Sequence, residues 1–547
     1  MDRRASLALL LGKKEKATTL KTTTTLGTLN PYTGTWGIEQ AAHLLRRTTF
    51  GPTNTQIKQA VTDGINSTVD QLLMNQPLPD NPIYYNYEND PEGGIGSDWT
   101  QFAFEDSIET RNGRNRSMRG WSMKFLKESG VSIREKMTLF WHNHFVVAST
   151  NDPRLRFHYI NFLRENSLGN FRTLVEGITI DPSMLQYLNG AQNTRNAPNE
   201  NYARELLELF TIGKGEAVGP GDYTTFTEDD VVEIARALTG WRYKDFQDST
   251  NTLIGAKFYN GRHDITDKQL SHRFDNIVIT NGGEDEYKTV IDIVLQKDEV
   301  SRFMSRNIYR WFVAAEIDTD VESNIIEPMA QIMRDNDYEI EPVVRALLLS
   351  DHFYEATQIG CMINHPIDFL FKLINSLEIS FPTDINHQYA IYRRIFAMTE
   401  LLEMPLYFPP DVAGWKAFYQ APQYYRFWIN SVTLQLRTGI VDRFLNGFNT
   451  MGFRTEIDVL AIAASLDNPS DPNSLINELA QVLFTSPLGQ DQVDALKEIL
   501  IPGLPDFEWT VEYSDYASGN TSLESAVESQ LKALFDAMLK MPEFYLI

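Results

Sequence analysis

The sequence predicts an all-α protein, mainly helical, with room for one small β-hairpin. Three observations carry that expectation: apolar residues recur at three-to-four spacing along most of the chain, capping signals punctuate them, and alternation at period two is scarce. At 547 residues the chain is longer than one compact core needs, and with 42% hydrophobic and 12% aromatic residues it is ordinary globular material. No stretch approaches the roughly 18 uninterrupted apolar residues that a membrane-spanning helix requires.

Residues 1–35 read as a flexible leader. Met1-Asp2-Arg3-Arg4 followed by the apolar run Ala5 to Gly12 begins as a twin-arginine export signal begins. Lys13, Lys14 and Lys16 follow at once and no small-residue cleavage site is visible, so these residues alone leave export and a cytoplasmic location both open. The threonine-rich piece Ala17 to Thr28 has the composition of an uncored segment. A helical core is expected over 36–440. Its first helix runs from Gly37, with Ile38, Ala41, Ala42, Leu44 and Leu45 on one stripe and Gly51-Pro52 as the stop. Ser132 and Glu135 have capping-box spacing and open a helix through Phe145, and Thr227 caps a helix that Gly240 ends. Strand candidates are confined to Asn276–Thr280 and Trp509–Tyr513, and loops fall at Pro77–Gly96, Gly213–Gly221, Gly282-Gly283 and Pro409–Gly414. Glu341–Phe353 and Gln530–Phe544 share a pattern of helix, polar turn and aromatic residue, which fits a duplicated unit or two similar amphipathic helices.

Residues 441–547 form the acidic end, a helical region expected to pack on the core. From 451 onward there are 16 carboxylates against four basic residues and no histidine, the composition of a solvated helical face. The net charge is -24, and residues 1–30 hold six basic against two acidic side chains, so the rest of the chain is more acidic still. Nucleic acid and anionic bilayers are therefore disfavoured partners of the folded part. The single cysteine, Cys361, excludes an intrachain disulfide and a Cys-based zinc site.

Four segments could carry chemistry. In Asn199–Gly213, regular helix geometry puts Tyr202, Leu206, Leu209 and Phe210 on one face and Glu200, Arg204, Glu205 and Glu208 on the opposite arc. Those charges are either a solvent face laced by i,i+4 pairs or a set of metal ligands and acid/base groups. In Phe140-Trp141-His142-Asn143-His144-Phe145, His144 joins the stripe of Ile133, Met137, Phe140 and Trp141, with His142 about 160° away, so the pair cannot hold one metal from a regular helix. His144 has either a core hydrogen bond or a metal. Arg262-His263-Asp264 offers an imidazole and a carboxylate in a loop. Leu406–Trp415, continuing through Phe418, Tyr419, Tyr424, Tyr425 and Phe427 to Trp428, is dense enough in aromatics to stack on a ligand or simply to pack on the core. The chain has no G-x-S-x-G, P-loop, G-x-G-x-x-G, H-E-x-x-H or Glu-x-x-His pattern, which sets aside serine hydrolases, NTPases, Rossmann enzymes, zincins and di-iron bundles.

These residues closely resemble the bacterial family known as domain of unknown function 1800. The resemblance is carried by His43–Thr53, Phe140–Phe145, Asp181–Leu185, Ala237–Trp241, His263-Asp264, Pro409–Trp415 and, most specifically, Pro198–Gly213, with Pro542-Glu543-Phe544 at the end. It covers roughly 38–440, and the chain departs from the family pattern in its weak leader and in its acidic extension after about Gly439. Members look like exported, often twin-arginine-dependent proteins encoded beside a second uncharacterised protein similar to sulfatases and alkaline phosphatases. The resemblance thus implies a periplasmic or extracellular location and an exported sulfatase/phosphatase-like partner, and it supplies no catalytic residue.

The functional expectation is a metal-assisted hydrolase, with a non-enzymatic scaffold or partner of a co-encoded exported protein as the alternative. Glu205 and Glu208 would be ligands or general base, His144 and His263 ligands of a divalent metal ion, Asp264 a ligand or its support, and Arg204 an anion clamp.

Overall fold

Helix begins where the apolar spacing places it. The computed structural model describes residues 27–148, 150, 152–244, 247 and 254–547, so the twin-arginine start and the threonine-rich piece as far as residue 26 lie outside the described residues. The rest of the expected leader is tied down: the Tyr32 amide donates to the Leu349 carbonyl (2.7 Å) and the Asp351 amide to the Asn30 carbonyl (2.8 Å). Helix α1 (Ile38–Thr48) follows and buries every residue from Ala41 to Thr48, His43, Arg46 and Arg47 included. Helix wrapped on all sides is core, not surface.

Next come α2 (Ile108–Glu128), α3 (Arg134–His144), α4 (Pro153–Glu165), α5 (Asn201–Glu205), α6 (Glu228–Ala237), α7 (Asp298–Phe312) and α8 (Ile340–Leu348). They are followed by α9 (Pro366–Ser376), α10 (Ile385–Leu401), α11 (Ser431–Asn446), α12 (Pro472–Leu483), α13 (Asp506–Ala517) and α14 (Glu524–Leu539), and further helices lie between these, among them Asn54–Leu73 and Glu286–Leu295. The structure is 58% helical, which makes the fold mainly α as expected. Among the described residues no helix is long and apolar enough to cross a membrane.

Three local expectations are corrected. Ser132 and Glu135 do not form a capping box: the Glu135 carboxylate is buried and receives two hydrogen bonds from the Arg164 guanidinium of α4 (2.8 and 3.1 Å). A buried bidentate ion pair wins over a cap that water could replace. Trp509–Tyr513 lies inside α13, with Trp509 and Tyr513 as its buried residues. Instead of one hairpin, four two-stranded antiparallel pairs are present among the described residues, one of them Lys268–Gln269 with Val278–Ile279. Strands of two or three residues are too short to show alternation. Thr227 does cap α6, in a reciprocal pair with Asp230, and Gly240 follows at φ +98°. The two similar segments both form a helix followed by a 3-10 turn, His352–Tyr354 and Pro542–Tyr545.

The buried apolar side chains make one continuous cluster from Ala41 in α1 to Tyr545. The acidic end belongs to it. Leu531, Leu534 and Phe535 of α14 are fully buried, and Arg46 of α1 donates to the Gln481 and Val482 carbonyls at the end of α12 (2.7 and 3.0 Å).

Candidate functional site

Two of the expected site residues meet at one cleft. Helix α3 brings Asn143 and His144 to it, and the segment after α5 brings Glu208 and Leu209. Helix α7 adds Phe303, Asn307, Arg310 and Trp311, and the aromatic loop closes it with Ala413, Phe418, Tyr419 and Tyr424. The cavity measures about 270 Å³. That is slightly under the roughly 300–1,000 Å³ of common small-molecule sites.

The position of Glu208 depends on an irregularity in the helix. Leu206–Thr211 forms a π-helical turn directly after α5. Wider turns shift every later side chain relative to regular 3.6-residue geometry. Tyr202, Leu206 and Phe210 are buried as the spacing predicts, but Leu207 is buried as well, and Leu209, expected among the core residues, turns to the cleft instead. One-turn helical arithmetic could not anticipate the inserted residue.

His144 is held in a defined tautomer. Its Nε2 hydrogen bonds to the Phe210 carbonyl (2.9 Å). A carbonyl only accepts, so Nε2 carries the proton and the Nδ1 lone pair is the ring's acceptor on a residue that lines the cleft. Burial, partly opposed by that bond, lowers its pKa to about 4, so the imidazole is neutral at neutral pH. The Glu208 carboxylate accepts from Lys214 (2.9 Å) and lies 3.5 Å from Arg204.

The aromatic loop is docked by a polar contact. The Trp415 amide donates to Asn143 Oδ1 (3.0 Å), and Gly414, at φ +92°, passes so close that an added Cβ would stand 2.3 Å from that oxygen. Only glycine takes this backbone conformation at this distance without strain. Tyr419 donates to Asp411 Oδ2 (2.8 Å), and burial followed by that carboxylate pushes its phenol up to about 12.

Other expected site residues lie elsewhere. His263 is fully buried between the Thr239 carbonyl (2.9 Å to Nδ1) and Glu286 Oε2 (3.0 Å to Nε2), with Lys268 on the other carboxylate oxygen of Glu286. Asp264 accepts from Arg236 Nε (2.8 Å) and from Thr266, and despite burial these bonds hold its carboxyl well below the usual range. Both are occupied in fixing the Thr239 turn to its neighbours. The Arg204 guanidinium is engaged by Glu228 (2.8 Å), Glu200 (3.2 Å) and Glu208 in a half-exposed ion-pair network, two of these partners being the i,i+4 carboxylates that the spacing offered. Glu205 does not line the cleft; burial, then the charge of Glu208, raises its pKa. Among the described residues no group of three or more His, Cys, Asp or Glu side chains is placed to hold a metal ion.

Asn143, Asn307 and Arg310 went unread in the sequence. So did a second chamber behind the cleft, whose lining includes Arg47, Lys136, His365 and Asp368. Arg310, Trp311, Phe418 and Tyr424 line both spaces. Arg46 and Arg47 gave no local signal of burial, because regular helix geometry puts Arg47 opposite the apolar stripe and basic residues are common in a last helical turn.

The segments that line the cleft, Phe140–Phe145, Pro198–Gly213 and Pro409–Trp415, are among those that carried the resemblance. A family model described as a protein of unknown function, DUF1800, matches residues 43–546. The chain belongs to the DUF1800 family. The match spans nearly the whole chain, including the acidic end that the sequence reading set apart from the DUF1800 pattern. No match was found among curated proteins or among solved structures. For this DUF1800 member the cleft geometry is therefore the sole guide to chemistry.

Proposed function

We propose that this DUF1800 protein is a hydrolytic enzyme whose reaction takes place in the cleft, with Glu208 as general acid–base and the Nδ1 lone pair of neutral His144 as an acceptor for the bound substrate or water. One observation carries this reading: an ionisable carboxylate and a tautomer-fixed imidazole, from segments far apart in sequence, line one cavity walled by aromatic rings. Trp311 and Phe418, with ring centroids 4.4 Å apart, offer apolar surface, and Asn143, Asn307 and Arg310 offer polar contacts. A divalent ion in the cleft would find two of the expected donors, Glu208 and His144, where catalytic zinc uses three protein ligands. The Nε2 bond of His144 to a backbone carbonyl is also how metal-bound imidazoles are oriented.

The test is a panel of chromogenic esters, phosphate esters and glycosides, assayed with and without added Mg²⁺ or Zn²⁺. Glu208→Gln is expected to reduce turnover about 10²–10⁴-fold, the usual share of a positioned acid or base. A panel with no turnover under any metal condition rejects the proposal. For localisation, export through the twin-arginine start is proposed; replacing Arg3 and Arg4 by lysine is expected to retain the protein in the cytoplasm in a fractionation assay.

A second reading, a non-enzymatic binding partner of a co-encoded exported sulfatase/phosphatase-like protein, is favoured by an apolar stripe at the acidic end. Leu504, Phe507 and Val511 are 53–61% exposed, and the latter two share one face of α13. Under that reading Phe507→Ser abolishes co-purification of the partner and Glu208→Gln leaves it intact.

A further inference from the structure

The chamber behind the cleft lies amid an excess of buried positive charge. Arg46, Arg47, Lys136, Lys372 and Arg437 are each at most 5% exposed, and of these Arg47 and Lys136 line the chamber together with the buried carboxylate of Asp368. Lys136 pairs with Asp368 directly. Arg46 and Lys372 are met by neutral oxygens, Arg46 by the α12 carbonyls and Lys372 by the Phe544 carbonyl (2.8 Å); Arg437 takes the Asn364 carbonyl (2.9 Å) and side-chain oxygen, while its Nε has no partner among the described residues.

Arg47 is less well served. Its guanidinium donates to the Gln358 carbonyl (2.9 Å) and to two sulfurs, Met362 Sδ (2.7 Å) and Cys361 Sγ (3.3 Å), and its Nε has no hydrogen-bond partner among the described residues. Sulfur is a weak acceptor. A buried guanidinium facing thioether and thiol lacks the acceptors that offset its desolvation.

The opposite wall has the same incompleteness. His365 Nδ1 accepts from the Asp368 amide (3.1 Å), so Nε2 carries the ring proton. That N–H lies 3.0 Å from Asp368 Oδ2 without hydrogen-bond geometry, and both atoms are unpartnered. Arg310, whose Nε reaches the Ala315 carbonyl (3.3 Å), faces the chamber from the cleft side.

We propose that this chamber binds a small monovalent anion between Arg47, Lys136 and His365. The space measures about 20 Å³, close to that of one water-sized group. A halide fits, as does the head of a carboxylate reaching in past Arg310, and a sulfate or phosphate does not. Ile547 also lines the chamber, its amide and carbonyl exchanging bonds with Met362 (2.9 and 3.4 Å). The site does not depend on turnover in the cleft.

The full chain is titrated with sodium chloride and, separately, sodium acetate, with sodium sulfate holding ionic strength constant, and its unfolding temperature is followed. Each anion is expected to stabilise saturably, because a ligand that binds only the folded state raises stability with its occupancy. Arg47→Met is expected to weaken the apparent affinity at least tenfold, and Arg426→Met, on an exposed arginine, to leave it unchanged. Because Arg47→Met removes a core side chain, a second readout uses wild type alone: crystals soaked in bromide should show an anomalous peak bounded by Arg47, Lys136 and His365. Tighter chloride identifies a free halide, and tighter acetate identifies the carboxylate of a cleft ligand. No saturable stabilisation by either anion and no bromide peak overturns the proposal.

Discussion

Glu135 illustrates how burial changes the work of a charged residue. Its carboxylate and the Arg164 guanidinium are 5% and 3% exposed, and the guanidinium lies over the Trp121 ring (5.0 Å). Glu135→Ala leaves an uncompensated buried cation, and a loss of about 3–5 kcal/mol in urea unfolding is expected. Histidines give the pH dependence its sign. Burial depresses His142 to about 3 and His144 to about 4, and it holds His43 and His365 well below the ordinary 6.5. Between those values and 6.5 the unfolded chain binds protons that the folded chain does not. The stability they contribute is therefore complete above about pH 6.5 and falls as pH drops toward their folded values. Asp181, pushed up to about 6 by burial, works the other way between pH 6 and its ordinary 3.8. Stability measured by denaturation from pH 7.5 to 4.5 should fall with acid, and His142→Phe should remove close to one proton from the slope. A slope unchanged by that substitution contradicts the assignment of His142 as a neutral buried ring.

At the scale of elements, the α6 cap was legible because its partners are local. Thr227 and Asp230 are three residues apart and satisfy each other's exposed amides, which needs no information from elsewhere in the chain. Thr227→Ala is expected to cost about 1 kcal/mol, read as a lower urea midpoint at unchanged slope. The same spacing at Ser132 and Glu135 misled because Arg164 arrives from another helix. The π turn at Leu206–Thr211 was invisible for a similar reason: an extra residue in a turn leaves apolar spacing nearly intact and moves only which side chains face out. The aromatic loop read as either ligand surface or core packing, and its residues divide between the core and the cleft wall. Trp415 is 1% exposed, whereas Tyr419 and Tyr424 line the cleft. Gly414→Ala puts a methyl group against Asn143 and is expected to destabilise by more than about 1 kcal/mol. It should also weaken cleft ligands more than Glu208→Gln does, as measured by calorimetric titration of any substrate that the panel identifies.

At the scale of the molecule, the acidic end is structural. Buried Arg46 takes its acceptors from α12, Lys372 from Phe544, and the Asn364 amide donates to the Tyr545 carbonyl (2.8 Å). A chain ended after residue 440 loses those acceptors and the α14 core together, and it is expected to show no cooperative unfolding transition in a calorimeter, where the full chain shows one. By itself the sequence determined the helical class, the first helix and the α6 cap. Each of these rests on periodicity or on partners a turn away. Only tertiary structure decided that His263 and Asp264 lie at a separate turn, that Glu228 joins the ion pairs of Arg204, and that Arg47, Lys136, His365 and Asp368 line one chamber. Those outcomes depend on which distant groups reach a side chain once water is excluded, and residue order does not encode that distance in any local pattern.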